Sequence, residues 1–225
     1  MSPLDQLRQA LDPGSIALIG ASENPNKVGG RPLLYLQRFG YRGRIYPINP
    51  NRAEVQGMKA YPDLASLPET PDLAIVMVAG DGAVAAVEAC AARGVRLTIC
   101  MASGFGETGT EGKAAEQAMV ATARAAGMRL VGPNSQGLAN FGTGTVASFS
   151  TMFLESQPAD GPAAVISQSG ATSAVVYGLL RARGIGVRHC HATGNDADVS
   201  VAELARAVIE DDGVKLLLLY LEAIP

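Results

Sequence analysis

The chain is short of histidine, cysteine and charge of either sign, and each shortage removes a class of function. Two histidines in 225 residues cannot build a multi-histidine metal centre. The three cysteines, Cys90, Cys100 and Cys190, form no C-x-x-C pair and leave an odd number, so they read as small buried residues in a reducing compartment. No basic run exists. The 18 Lys and Arg against 21 Asp and Glu leave a net charge of −3, so no positive field is present to attract nucleic acid or an anionic membrane. Long apolar runs are missing as well. The longest, residues 73–79 and 216–221, fall far short of the roughly 20 residues that cross a bilayer. The opening Met1-Ser2-Pro3-Leu4-Asp5 lacks the basic and apolar regions of a signal peptide, which makes the cytoplasm the expected compartment.

What remains is a chain with 48% hydrophobic and 17% charged residues, enough to bury one large core or two small ones. Short Val- and Ile-rich runs alternate with longer Ala-rich amphipathic stretches, the pattern of βα units around a parallel sheet. Strands are expected at 15–19, 44–48, 73–78, 97–101 and 129–131, with helices near 30–39, 82–93 and 111–126. These five strands predict an α/β domain over residues 1–142, a Rossmann-type doubly wound parallel sheet with its ligand over the carboxyl ends of the strands. Residues 143–162, rich in Gly, Thr, Ser and Pro, read as a linker. A second series follows over 163–225, with strands at 163–167, 187–192 and 215–221 and helices at 171–183 and 200–209. Two helices cover three strands thinly, so this α/β domain is expected to be C-terminally incomplete. Its apolar edge is expected to meet a continuation or a partner, a homo-oligomer among them.

The first strand runs into Gly20-Ala-Ser-Glu-Asn-Pro-Asn-Lys-Val-Gly-Gly30, a small-residue loop before a helix, which suits a phosphate at a helix N-terminus. The dinucleotide fingerprint is absent. G-x-G-x-x-G counted from Gly20 would need glycine where Ser22 and Pro25 stand. The second strand ends in Asn49-Pro50-Asn51-Arg52 in place of the acidic residue that holds an NAD ribose. Arg52 with Lys27 suits a ribose carrying a phosphate, which both NADP and coenzyme A (CoA) offer.

Three blocks near the N-terminus, Ser15-Ile-Ala-Leu-Ile-Gly-Ala-Ser22, Gly43-Arg-Ile-Tyr-Pro-Ile-Asn-Pro50 and Gly57-Met-Lys-Ala-Tyr-Pro-Asp63, carry a resemblance. So do Gly132-Pro-Asn-Ser-Gln-Gly137, Val165-Ile-Ser-Gln-Ser-Gly-Ala171 and Gly194-Asn-Asp-Ala-Asp198. Together they resemble the nucleoside-diphosphate-forming (ADP-forming) acyl-CoA synthetases, relatives of the succinyl-CoA synthetase α subunit. The resemblance implies a CoA-binding domain followed by a flavodoxin-like ligase domain. It maps Gly20, Ala21, Ser22 and Lys27 to CoA phosphates, and Asn49, Pro50 and Arg52 to the phosphorylated nucleotide end. Val78 falls where the family has Val-Pro-Ala, although the proline is missing here. Asn134 would lie near the CoA thiol, with Ser135 where many relatives carry cysteine. Ser167, Ser169 and Gly170 would receive an anion at a helix N-terminus facing a phosphohistidine, and Glu222 would orient that imidazole. His189 and His191 fall on a strand, out of register with the family's histidine, so neither is expected to be the phosphoacceptor.

The resemblance thus implies an acid-thiol ligase. The complete enzyme would convert a small carboxylic acid, CoA and ATP, with Mg2+, to acyl-CoA, ADP and phosphate through an acyl phosphate. The phosphohistidine and an ATP-grasp domain or subunit are expected outside these residues. A different class of function, a CoA-sensing module such as one fused to a protein acetyltransferase, uses the same domain without turnover. An NADP-linked oxidoreductase has no recognisable acid-base set to support it.

Overall fold

The computed structural model describes residues 2–223. The first layer runs α1 (Pro3–Leu11), β1 (Ser15–Ile19), α2 (Arg31–Arg38), β2 (Arg44–Ile48), a small hairpin β3 (Glu54–Val55) and β4 (Met58–Lys59), β5 (Leu73–Val76), α3 (Asp81–Arg93), β6 (Leu97–Cys100), α4 (Thr110–Ala125) and β7 (Arg129–Val131). Five of these strands form a parallel sheet in the order β2-β1-β5-β6-β7. Chain order reverses between β1 and β5, which places the switch-point crevice over the ends of those two strands. Pro47 is tolerated because β2 is the edge strand. Gly94 closes α3 in the left-handed conformation, donating to the carbonyls of Cys90 and Ala91.

The second layer contains β8 (Gly137–Asn140), β9 (Thr145–Ser148), α5 (Met152–Glu155), β10 (Ala163–Ser167), α6 (Gly170–Ala182), β11 (Val187–Ala192), α7 (Val201–Val208) and β12 (Leu216–Tyr220). Its sheet is mixed, in the order β12-β10-β11-β8-β9. The parallel strands β12, β10 and β11 match the expected series, and β8 and β9 add an antiparallel hairpin to the β11 edge. The stretch 143–162 is therefore not a plain linker, since it holds β9 and α5. Small side chains hid the hairpin. Gly137, Ala139, Ala147 and Ser148 are buried on both faces, so no polar-apolar alternation marks the strands.

α1 also escaped the sequence reading. A capping box between Ser2 and Asp5 with Pro3 at the first turn starts it, and Leu7, Ala10 and Leu11 bury into the core that holds Val201, Leu204 and Val208. Arg8 pairs with Glu210 at the end of α7, Gln6 Nε2 donates to Gly127 O at 2.7 Å, and Asn140 Nδ2 donates to Leu11 O at 3.0 Å. One core therefore continues from the first layer into the second.

Candidate functional site

At the first switch point β1 ends in Gly20, whose φ of +86° favours glycine. A Cβ there would lie 2.7 Å from Val78 Cγ1 and 3.3 Å from the Val78 nitrogen. The N–H groups of Gly20 and Ala21 both donate to Ile48 O at 3.1 Å, and Asn49 Nδ2 donates to Ala21 O at 2.9 Å. The tertiary structure thus joins Gly20, Ala21, Asn49 and Val78 from three strand ends, with Ser22 next in the loop. Pro50, Lys27 and Arg52 are exposed around it. Gly20→Ala is expected to cost about 1–3 kcal/mol in thermal unfolding, since it adds a positive-φ penalty to a clash with a packed strand end.

Two further residues hold this loop and were not singled out by sequence. Gln56, at the turn of the β3–β4 hairpin with φ +50°, donates its amide to Ser22 O at 2.7 Å and Gly30 O at 2.9 Å. Arg31 at the start of α2 donates to Asn26 O and to Phe149 O, each at 2.6 Å. Phe149 belongs to the second layer, so Arg31 ties the phosphate-type loop to the wall of a cleft between the layers. No local pattern announces either role, because each acts on backbone distant in sequence.

That cleft has a volume of about 500 Å3. Its lining follows the carboxyl ends of β7, β10, β11 and β12 and includes Asn134, Ser169, Gly170, Asn195 and Glu222. The second sheet reverses chain order between β10 and β12, so the expected Ser-Gly turn and Glu222 meet at its switch point. Ser169 caps α6 by accepting from the Thr172 N–H at 3.2 Å. The N–H groups of Gly170 and Ala171 then stand at the first turn with no carbonyl a turn earlier to receive them, which suits an anion. Ser167 is fully buried and donates to Ser169 O at 2.7 Å, so it shapes the turn and does not line the cleft. Gln168 fastens the other wall, accepting from Glu222 N at 2.6 Å and Ala223 N at 3.0 Å.

The 132–137 turn and the 194–198 loop interlock beneath the cleft. Asn195 N donates to Pro133 O at 3.0 Å, and any Cβ on Gly194 would run into that same carbonyl. Ser135 is buried, donating to Ala192 O at 2.6 Å and accepting from Gly137 N, so its hydroxyl holds backbone. Asn195 Nδ2 lies 2.6 Å from Glu107 Oε2 and 2.7 Å from Glu116 Oε2. Partial burial works to raise the Glu107 carboxyl, but the Asn195 amide and the Gly104 N–H outweigh it and hold the group below its ordinary range. His189 and His191 lie on β11, buried away from the cleft, as their register implied.

Residues 14–140, more than half of the sequence, match the CoA binding domain family. The chain belongs to that CoA-binding family. Residues 160–225 match the succinyl-CoA ligase like flavodoxin domain, so the expected succession of the two domain types holds. The chain is 35% identical over 222 residues to the α subunit of ADP-forming acetate–CoA ligase I of Pyrococcus furiosus, covering 97% of this chain and 47% of that one. It is 32% identical over 220 residues to a trans-feruloyl-CoA synthase of an unknown prokaryotic organism, covering 97% of this chain and 31% of that one. Among solved structures, the apo form of a dinucleotide forming acetyl-coenzyme A synthetase 1 of Ca. Korarchaeum cryptofilum superposes with a TM-score of 0.91 at 32% identity. That match covers 97% of this chain and 46% of the other. The chain therefore spans less than half the length of these relatives. No helix among the described residues is long and apolar enough to cross a membrane.

Proposed function

We propose that this chain is the CoA-binding portion of an ADP-forming acyl-CoA synthetase. The observation that carries the reading is the convergence on one cleft of Asn134 from the CoA-binding domain with the α6 N-terminus and Glu222 from the ligase-like domain. Gly20, Ala21 and Ser22 would take the CoA phosphates, with Lys27 and Arg52 at the phosphorylated ribose and Asn49, Pro50 and Val78 lining the nucleotide end. The glycines let the loop fold tightly on itself and on the β5 end, since a Cβ at Gly20 would run into Val78 and one at Gly29 into the Gly20 carbonyl. CoA, when bound, supplies the thiol that takes the acyl group from an acyl phosphate. Ser169 and Gly170 would hold the transferred phosphoryl group at the α6 N-terminus, on the turn that Ser167 shapes, with Glu222 orienting the imidazole that carries it. That imidazole and the site for ATP and Mg2+ are assigned to an ATP-grasp partner or further chain, since both histidines here are buried on β11. The acid would be a small carboxylic acid, and a cytoplasmic setting agrees with three buried free cysteines.

Calorimetry with CoA and 3′-dephospho-CoA tests the nucleotide end. CoA is expected to bind about tenfold more tightly, a difference of roughly 1.4 kcal/mol, and Lys27→Ala with Arg52→Ala is expected to remove that preference. Equal affinity in the unmutated chain would take away the role of the two cations, and no binding of either would overturn the reading.

A further inference from the structure

Gln168, in the turn between β10 and α6, touches the ends of all three parallel strands of the second sheet. Its N–H donates to Tyr220 O at 3.1 Å on β12, and its carbonyl accepts from Gly194 N at 3.2 Å just after β11. The side chain reaches both neighbours again. Nε2 donates to Ala223 O at 2.9 Å and to Asp196 Oδ2 at 3.0 Å, while Oε1 accepts from Glu222 N at 2.6 Å and Ala223 N at 3.0 Å. Both N–H groups and both lone pairs of the amide are therefore used, and backbone groups of fixed polarity set its sense. A flipped amide would turn Nε2 toward two N–H donors and Oε1 toward a carbonyl. No other hydrogen bond among the described residues reaches Glu222 or Ala223.

Asp196 completes the arrangement in a strained conformation. It sits at φ +51°, which a β-carbon disfavours, and its Oδ1 is buried with no partner among the described residues. Its Oδ2 accepts from Val201 N at 3.2 Å as well as from Gln168, so one carboxylate oxygen ties the start of α7 to the amide. Strain of that kind persists where surrounding contacts over-determine it, and those two hydrogen bonds are such contacts. We infer that Gln168, steadied by Asp196, is a positioning residue that pins residues 222–223 to the second switch point and so keeps the Glu222 carboxylate on the wall of the cleft. The pairing of β12 with β10 ends at Tyr220, so the strand ladder does not itself carry Glu222 there. That Glu222 meets a phosphoryl group rests on the proposed function, whereas its attachment to Gln168 stands on the geometry alone. The consequence is electrostatic. A carboxylate fixed in a cleft of about 500 Å3 opposes a bare anion at the α6 N-terminus and tolerates one accompanied by a cation.

Amide hydrogen exchange on the 225-residue chain tests the attachment. Gln168→Ala is expected to speed exchange at Glu222 and Ala223 by about tenfold or more, with amides inside β10 such as Ile166 unchanged within about twofold. Asp196→Gly, which suits the positive φ, is expected to speed the same two amides by a smaller factor, and Asp196→Asn, which keeps an acceptor oxygen, to restore most of the protection. Equal exchange at residues 222 and 223 in Gln168→Ala and the unmutated chain overturns the inference. Inorganic phosphate, titrated by phosphorus NMR, reads the charge. Glu222→Gln is expected to tighten phosphate by about threefold in the unmutated background and to have almost no effect once Gln168→Ala has released the segment. A purely structural role for Gln168 would leave the effect of Glu222→Gln equal in the two backgrounds, and equality, at zero included, overturns the inference. Failure of phosphate to bind at all speaks against the proposed anion site, and the exchange result then decides the attachment by itself.

Discussion

Asp198→Ala is expected to destabilise the chain by about 3–5 kcal/mol, the cost of removing one partner from a buried ion pair. The Asp198 side chain is fully buried and accepts from Arg124 Nε at 2.8 Å, Arg129 Nε at 2.9 Å and the Leu130 N–H at 2.8 Å. Truncation would leave the β7 N–H without its acceptor. It would also leave Arg129, only 12% exposed, with Glu203 as its one carboxylate partner beside the Asp198 backbone carbonyl. The same residue fixes the loop carrying Asn195 against the first sheet, with Val199 N donating to Leu130 O at 3.1 Å. Urea unfolding monitored by circular dichroism reads the loss. Asp198→Asn is expected to fall between the two, because it keeps an acceptor oxygen and removes the charge. A change below about 1 kcal/mol in the alanine variant would show that neither guanidinium depends on this carboxylate.

Acid is expected to destabilise the chain from a higher pH than its carboxylates alone would dictate. His191 is fully buried and accepts the Ala139 N–H on Nδ1 at 3.2 Å, so its proton sits on Nε2, 3.1 Å from His189 Nδ1. His189 in turn donates from Nε2 to Asp211 Oδ2 at 3.0 Å, and Arg188 Nε donates to that same oxygen at 2.6 Å. Burial, and next the neighbouring His189, hold His191 well below the ordinary 6.5. Burial also lowers His189, against the opposing pull of Asp211. Below about 6.5 the unfolded chain takes up these protons and the folded chain resists them, so stability is complete above that pH and falls as pH drops.

The slope approaches about 1.4 kcal/mol per pH unit for each imidazole that stays neutral, with His191 the larger contributor because it is held further below 6.5. Asp211 adds a second, more acidic phase. Partial burial pushes its carboxyl up, but Arg188, the Gly213 N–H and His189 pull it down to about 2, so its contribution is present above 3.8 and is lost from there toward 2. Urea midpoints measured across this range check both phases. His191→Gln is expected to remove the larger part of the upper one, and equal midpoints at roughly pH 7 and pH 5 would refute the assignment of neutral buried histidines.

Much of the fold was legible because its causes are local. Val- and Ile-rich runs such as Ser15–Ile19 and Ala163–Ser167 are buried on both faces, as helix-covered parallel strands require, and Gly94 closes a helix by its own conformation. The turn motifs around Gly20, Asn134 and Ser169 were visible for the same reason, since glycines and capping residues act within a few positions. Gln56 and Arg31 were not, and Asn195 was legible only as part of the 194–198 block, because the role of each is defined by the distant backbone or side chain it touches.

Periodicity, composition and short-range backbone geometry account for the two βα series and their strand-end turns, and two histidines are too few for a multi-histidine metal set. The hairpin that a Gly- and Ser-rich stretch adds to the second sheet, and the meeting in one cleft of turns more than 30 residues apart, arise from long-range packing. The reason is that long-range pairing and amide polarity depend on partners such as His189 for Asn140 and Glu116 for Asn195, whose proximity exists only once both layers have closed on a common core.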